Sequence, residues 1–225
     1  MRKIKMKKTE IKLNEKEKLT ALPLYDLQLI QREDYFALGE DSVALAEFAE
    51  ILPNERVLEA GCGNGGLLLL LWGKAPQADF SAVEIMPNLC NLSKRNLQIN
   101  DLEEKIQVYE EDFRHHSPKN SQGENILYDK IICNPPYEKA ENGRISQKAE
   151  MAAAKFEIHG NLEEFFWQSS KLLKQGGSFY LVLPFKRFDD AMTAATKYGF
   201  TLAEKQMLTA GKKEHKYSVL LEFKK

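Results

Sequence analysis

Cysteine is scarce in this chain. Cys62, Cys90 and Cys133 are the only three among 225 residues, too few and too scattered for a disulfide framework or a zinc site. Histidine is nearly as rare, with four residues. The one adjacent pair, His115-His116, sits in a polar loop without carboxylate or cysteine company, so no metal is expected. No apolar run approaches the roughly 18 residues of a membrane span. The basic start MRKIKMKKTEIKLNEKEK also lacks the apolar stretch of a secretory leader. Together these absences exclude membrane, disulfide and zinc classes and point to a reducing cytoplasm.

Charge of one sign is lacking as well. The net charge of −1 argues against a strongly basic nucleic-acid binder. Its distribution is uneven, since residues 1–19 hold eight Lys/Arg against three Glu. A basic arm on a near-neutral body reaches phosphates, and a solvated terminus is the plain alternative.

What is present is an alternation of strands and helices. After an extended stretch over 22–29 and a loop, the sequence predicts a helix capped by Asp41 or Ser42, with Val43, Leu45 and Ala46 on its apolar face. RVLEA, FSAVEI, KIQVYEEDF, YDKIICNPPY, SFYLVLP, TLAEKQML and KYSVLLEFKK read as strands. LLLLLWGKA, NLCNLSKRNLQIN, NLEEFFWQSSKLLKQGG and FKRFDDAMTAATKYGF read as helices, the third ended by glycines at its C-cap. Trp72 and Trp167 fall in apolar helices and are expected in the core. The order predicts an α/β fold: a doubly wound, mostly parallel, Rossmann-like sheet of seven strands closing on a C-terminal antiparallel hairpin. A basic N-terminal extension over 1–35 and one domain over 36–225 are expected.

Two motifs carry chemistry. EAGCGNGG follows the first of these strands and opens a helix, where glycines allow a tight turn and close approach to a ligand. Gly61, Gly63 and Gly66 also satisfy G-x-G-x-x-G, and Glu84 follows about 20 residues later, so a nicotinamide or flavin enzyme competes. Three features favour another chemistry. Glu59 puts a negative charge in the crevice, which suits a cationic ligand better than a pyrophosphate. Glu111, Asp112 and Phe113 close the third strand of the series. CNPPYE ends the fourth, where two prolines stiffen a corner holding one amide, one bare carbonyl and one aromatic face.

With E-x-G-C-G-N-G, VEI, EDF and NPPY in this order, the sequence resembles S-adenosylmethionine-dependent methyltransferases of exocyclic and amide nitrogens, over roughly residues 30–225. FALGEDSVALAEF and AKFEIHGNLEEFFWQSSKLLKQGG are similar to bacterial tRNA adenine-N6 methyltransferases acting beside the anticodon of a valine tRNA. The resemblance implies a cofactor floor at Gly61, Cys62, Gly63 and Gly65, with Glu59 facing the ammonium end. It implies Glu84 on the ribose hydroxyls, Ile85 against the adenine, and Asp112 accepting from its amine beside the Phe113 backbone. Asn134 and the Pro135 carbonyl would each accept one N–H of the target amine, Pro136 would stiffen the corner, and Tyr137 would stack on the extruded base. Arg144, Lys148, Lys155 and His159 are candidates for tRNA phosphates, as are Lys5, Lys7 and Lys8.

Alternatives stay open at this point. The same corner suits guanine in rRNA, adenine in DNA or a glutamine amide in a protein. Enzymes of the last kind carry an N-terminal helical domain by resemblance, for which 1–35 is short. A non-catalytic RNA-binding module would be favoured by a broken NPPY or lost glycines, and both motifs are intact.

Overall fold

The computed structural model describes residues 12–22, 24–35, 37–135, 161–209 and 217–225. In chain order the elements are β1 (Glu17–Leu22), β2 (Leu27–Arg32), α1 (Glu40–Phe48), β3 (Arg56–Ala60), α2 (Gly66–Lys74), β4 (Asp79–Glu84) and α3 (Pro87–Gln98). They continue with β5 (Gln107–Glu110), β6 (Tyr128–Cys133), α4 (Leu162–Leu172), β7 (Leu173–Pro184), α5 (Phe188–Lys197), β8 (Thr201–Thr209) and β9 (Tyr217–Lys224).

Seven strands form one sheet in the order β5-β4-β3-β6-β7-β9-β8. The pairs from β5 to β7 are parallel, and β9 joins β7 and β8 antiparallel. This is the expected mostly parallel sheet with its C-terminal hairpin. Strand residues point alternately to its two faces. Val57, Ile132, Tyr180 and Val182 pack with α2 and part of α1 on one face. Leu58, Ile131, Phe179 and Leu181 pack with α4 and α5 on the other. Leu67 to Leu71 are all buried, so α2 is a core helix apolar all round.

The sequence between 17 and 32 is a hairpin, where one extended stretch and a loop were expected. β1 and β2 pair antiparallel from Glu17↔Arg32 to Leu22↔Leu27. The turn holds Asp26 at φ 56°, a left-handed conformation that aspartate tolerates. Leu22, Leu27 and Leu29 join the core around α2.

The outer edge of β2 is capped by side chains. Asn96 Oδ1 accepts from Ile30 N at 2.6 Å and Asn96 Nδ2 donates to Ile30 O at 3.0 Å. Asn100 repeats the pattern on Gln28 N and O at 2.9 and 2.7 Å. Four residues along a helix rise about 6 Å and two along a strand about 6.7 Å. Asparagines four apart therefore match alternate strand residues and satisfy an edge that would otherwise be bare. Arg95 adds a two-pronged ion pair to Glu17 at 2.6 and 2.9 Å.

Three local expectations are corrected. Gly39 is the N-cap of α1 without a side-chain cap, so neither Asp41 nor Ser42 plays that part. Lys74 Nζ closes the helix's other end by donating to the carbonyls of Ala46, Glu47 and Ala49. The glycines after α4 do not cap it, because β7 begins at Leu173 directly after the helix. Gly176 turns the chain at φ 79°. Gly177 passes so close to β6 that a Cβ would stand 3.0 Å from the Asp129 carbonyl. Trp167 is 37% exposed, with Lys171 Nζ 3.3 Å from its ring centre, whereas Trp72 packs partly buried on the core.

Candidate active site

The chain runs outward from β3 to β4 and β5, then returns to the other side of β3 as β6. The crevice at the carboxyl ends of β3 and β6 is therefore the switch point where open α/β sheets bind ligands. Register Ala60↔Cys133 places the glycine loop beside Asn134. Sequence reasoning put both motifs at strand ends, and the sheet brings them together.

Gly61 N and Cys62 N donate to the Val83 carbonyl at 2.9 and 3.1 Å, folding the loop over the end of β4. Gly61, Gly63 and Gly65 have φ of 75°, 56° and 79°, a region that only glycine enters cheaply. Their roles then divide. No atom lies within 4 Å of a Cβ built on Gly61 or Gly63, so the backbone there borders open space. A Cβ on Gly65 would stand 2.6 Å from Ser93 Oγ, so Gly65 serves the packing of α2 on α3.

Two carboxylates lie beneath the loop, Glu59 at 2% exposure and Glu84 at 6%. Glu84 Oε2 accepts from Gly63 N and Oε1 from Met86 N, both at 2.8 Å. Burial raises its carboxyl above the ordinary value, while the backbone donors pull the other way. Glu59 is raised well above its usual range, first by burial and then by the nearby Glu84 charge. Glu59 Oε2 and Asn64 Nδ2 are buried with no hydrogen-bond partner among the described residues. A native interior seldom leaves such groups unpaired.

Asn134 lies half-buried beyond β6, and its Nδ2 donates to Ser42 Oγ at 2.9 Å. Pro135 is buried. Pro136, Tyr137, Arg144, Lys148, Lys155 and His159 lie outside the described residues, as do Lys5, Lys7 and Lys8. Ile85 follows β4, half-buried at the crevice. Phe113 is buried and stacks on Phe165 with ring centres 5.3 Å apart. Asp112 caps a short 3-10 turn, and its carboxylate is gripped by Arg114 at 2.5 to 3.0 Å. Burial pulls this carboxyl upward, but the Arg114 hydrogen bonds prevail and lower it.

The family model described as Methyltransferase small domain matches residues 36–209. The chain belongs to that family. Among relatives, it is 28% identical over 185 residues to the tRNA1(Val) (adenine(37)-N6)-methyltransferase of Aliivibrio salmonicida, covering 82% of this chain and 76% of the relative. It is 23% identical to the protein of the same name from Vibrio campbellii, covering 86% of this chain and 77% of that one. The crystal structure of TrmN from Thermus thermophilus shares the fold with a TM-score of 0.59 at 21% identity. That match covers 82% of this chain and 48% of the other, so the chain spans about half the length of that structure.

Within this methyltransferase, the sequence left four supporting residues unassigned. Ser42, read as a helix cap, instead holds Asn134, and only the approach of α1 to β6 reveals it. Asn64 bridges loop and helix, its Oδ1 accepting from Gly66 N at 3.1 Å and its carbonyl from Asn96 Nδ2 at 2.8 Å. Arg114 fixes Asp112. His116 is the clearest correction, because it does have carboxylate company. Its buried ring meets Glu111 Oε1 at 2.5 Å through Nδ1 and Tyr128 OH at 3.0 Å through Nε2. Gln168 Nε2 donates to its backbone carbonyl at 2.7 Å. This chain pins the loop carrying Asp112 to β6 and α4.

Proposed function

We propose that this methyltransferase uses S-adenosylmethionine to methylate N6 of an adenosine in tRNA, the one beside the anticodon of a valine tRNA. The observation that carries the cofactor assignment is the buried Glu59 carboxyl under an open glycine loop, its Oε2 without a hydrogen-bond partner among the described residues. An ammonium group supplies what Glu59 lacks, and the unstrained space above Gly61 and Gly63 admits a ligand against bare backbone. Glu84 has two oxygens already aimed by backbone donors and still has lone pairs for a pair of ribose hydroxyls. Ile85, Phe113 and Asp112 border the place for an adenine ring, with Asp112 held in position by Arg114. The names of the tRNA methyltransferase relatives support the acceptor.

When bound, S-adenosylmethionine supplies an electrophilic methyl on a sulfonium. The residues of this chain handle the acceptor. An adenine amine is a weak nucleophile because its lone pair is delocalised into the ring. Asn134 and the Pro135 carbonyl each accept one of its N–H groups and turn the lone pair toward the methyl. Ser42 holds the Asn134 amide in place, its Oγ accepting a hydrogen bond from Asn134 Nδ2. Tyr137 offers the extruded base a face worth about 1–3 kcal/mol in stacking. The proton leaves after the nitrogen is alkylated, so orientation and charge placement carry the rate without a strong base.

The test is transfer of labelled methyl to bulk tRNA that lacks the modification. Label recovered as N6-methyladenosine, lost in Asn134→Ala and with cofactor affinity weakened in Glu59→Gln, is the expected result. Cofactor binding without label in tRNA would refute the acceptor and send the search to rRNA, DNA or protein.

A further inference from the structure

The end of β7 lies one strand over from the Asn134 corner. β6 pairs in parallel with β7 as far as Cys133↔Leu181, so Asn134 after β6 and Pro184-Phe185 at the end of β7 emerge on the same edge of the sheet. Neighbouring strands stand about 4.8 Å apart. A second path leads to the same place. Pro184 pairs with Ser218, Ser218 Oγ donates to Asp41 Oδ2 at 3.3 Å, and Asp41 adjoins the Ser42 that holds Asn134.

At this edge Phe185 is 45% exposed. Its ring stacks on Phe188 with centres 5.9 Å apart and planes 16° from parallel. Lys205 Nζ lies 4.9 Å from the Phe188 ring centre, and Lys186 is exposed beside Phe185. Arg187 pairs with Asp190 at 2.6 Å, which neutralises one of the two acids on the first turn of α5 and leaves Asp189 as the opposing charge. A single exposed apolar side chain needs no explanation. Here, however, a stacked ring pair is flanked by cations and borders the corner assigned to the target base.

We infer that Phe185, with Lys186 and Lys205, forms a platform for the RNA next to the methylated adenosine. Phe185 stacks a neighbouring unpaired base and the lysines meet its phosphates. Turning the target base out of a loop unstacks its neighbours, and single-stranded RNA is held by aromatic faces together with cations. This inference rests on the RNA acceptor proposed above.

The experiment is fluorescence anisotropy of a labelled anticodon stem-loop of valine tRNA, titrated with the full chain across a range of salt. Phe185→Ala is expected to bind roughly ten-fold more weakly, and Phe185→Trp to bind like wild type. Lys186→Ala is expected to lower the slope of log affinity against log salt by about 0.7, one single-strand phosphate contact. Cofactor affinity by calorimetry should stay unchanged in all three, which separates a lost contact from a lost fold. Phe185→Ala within two-fold of wild type, with the Lys186→Ala slope unchanged, overturns the inference. If wild type methylates tRNA while Phe185→Ala binds normally, the platform alone falls. If wild type binds through Phe185 without methylating, the acceptor reaction alone falls. Failure of wild type to bind the stem-loop removes both.

Discussion

Asn96 is the residue whose loss tests most of this architecture at once. Its fully buried amide takes the Ile30 N–H and gives two protons, one to the Ile30 carbonyl and one to the Asn64 carbonyl. It therefore ties the hairpin, α3 and the glycine loop together. Asn96→Ala removes three hydrogen bonds, each contributing about 1 kcal/mol net, and orphans a buried N–H costing about 1–3 kcal/mol. A loss of roughly 4–6 kcal/mol is expected, a large share of the 5–15 kcal/mol typical of a domain. Urea denaturation followed by tryptophan fluorescence measures it, with Asn91→Ala on the exposed face of the same helix as control, expected within about 0.5 kcal/mol of wild type. Cofactor affinity should fall as well, because the Asn64 carbonyl loses its donor. Asn96→Asp keeps the acceptor for Ile30 N but makes neither donation and buries a charge, so it should be no better than alanine. A loss below about 1 kcal/mol in Asn96→Ala would show that the edge of β2 is satisfied some other way and refute the account.

Two further perturbations follow from the same structure. Hydrogen bonds from Arg95 hold the Glu17 carboxyl, 1% exposed, down at about 2. A carboxyl depressed on folding stabilises above its unfolded value near 4.5 and loses that contribution as pH falls toward 2. Glu17→Gln should thus cost about 3 kcal/mol at neutral pH, with the gap to wild type closing below pH 4.5; a gap independent of pH rules out the ion pair as its source. Gly65→Ala forces both a φ of 79° and a 2.6 Å contact with Ser93 Oγ, and should cost stability of about 2 kcal/mol or more. Gly63→Ala has the strain without the contact, so thermal unfolding should fall less while calorimetry shows the larger loss of cofactor affinity. Equal unfolding losses in the two variants would contradict the division of roles.

Two kinds of information were local and therefore open to the sequence. The apolar runs around Val57-Leu58, Ile131-Ile132 and Phe179 to Val182, separated by helical spacings, determined a parallel sheet covered on both faces. The glycines and prolines at strand ends marked Gly61 to Gly65 and Asn134-Pro135 as places where the backbone does something strands and helices do not. Their chemistry came from resemblance, since the glycine loop alone also suits a dinucleotide.

What remained hidden depends on residues far apart in the chain meeting through the sheet. Asn96 and Asn100 look like ordinary polar positions of a helix until β2, some 66 and 72 residues earlier, is laid against them. Ser42 carries the signature of a helix cap and becomes a partner of Asn134, 92 residues away, only because α1, packed on α2, β7 and β9, reaches the corner that follows β6. His116 reads as a loop residue until the fold buries it between Glu111 and Tyr128. The glycines at 176 and 177 announce a turn, but not that the crowding comes from the neighbouring Asp129 backbone. Periodicity and turn chemistry are properties of a few consecutive residues, so the chain by itself determined the elements and their order. Which polar side chains are buried and paired is set when those elements pack, so only the tertiary structure decided what holds the site in place.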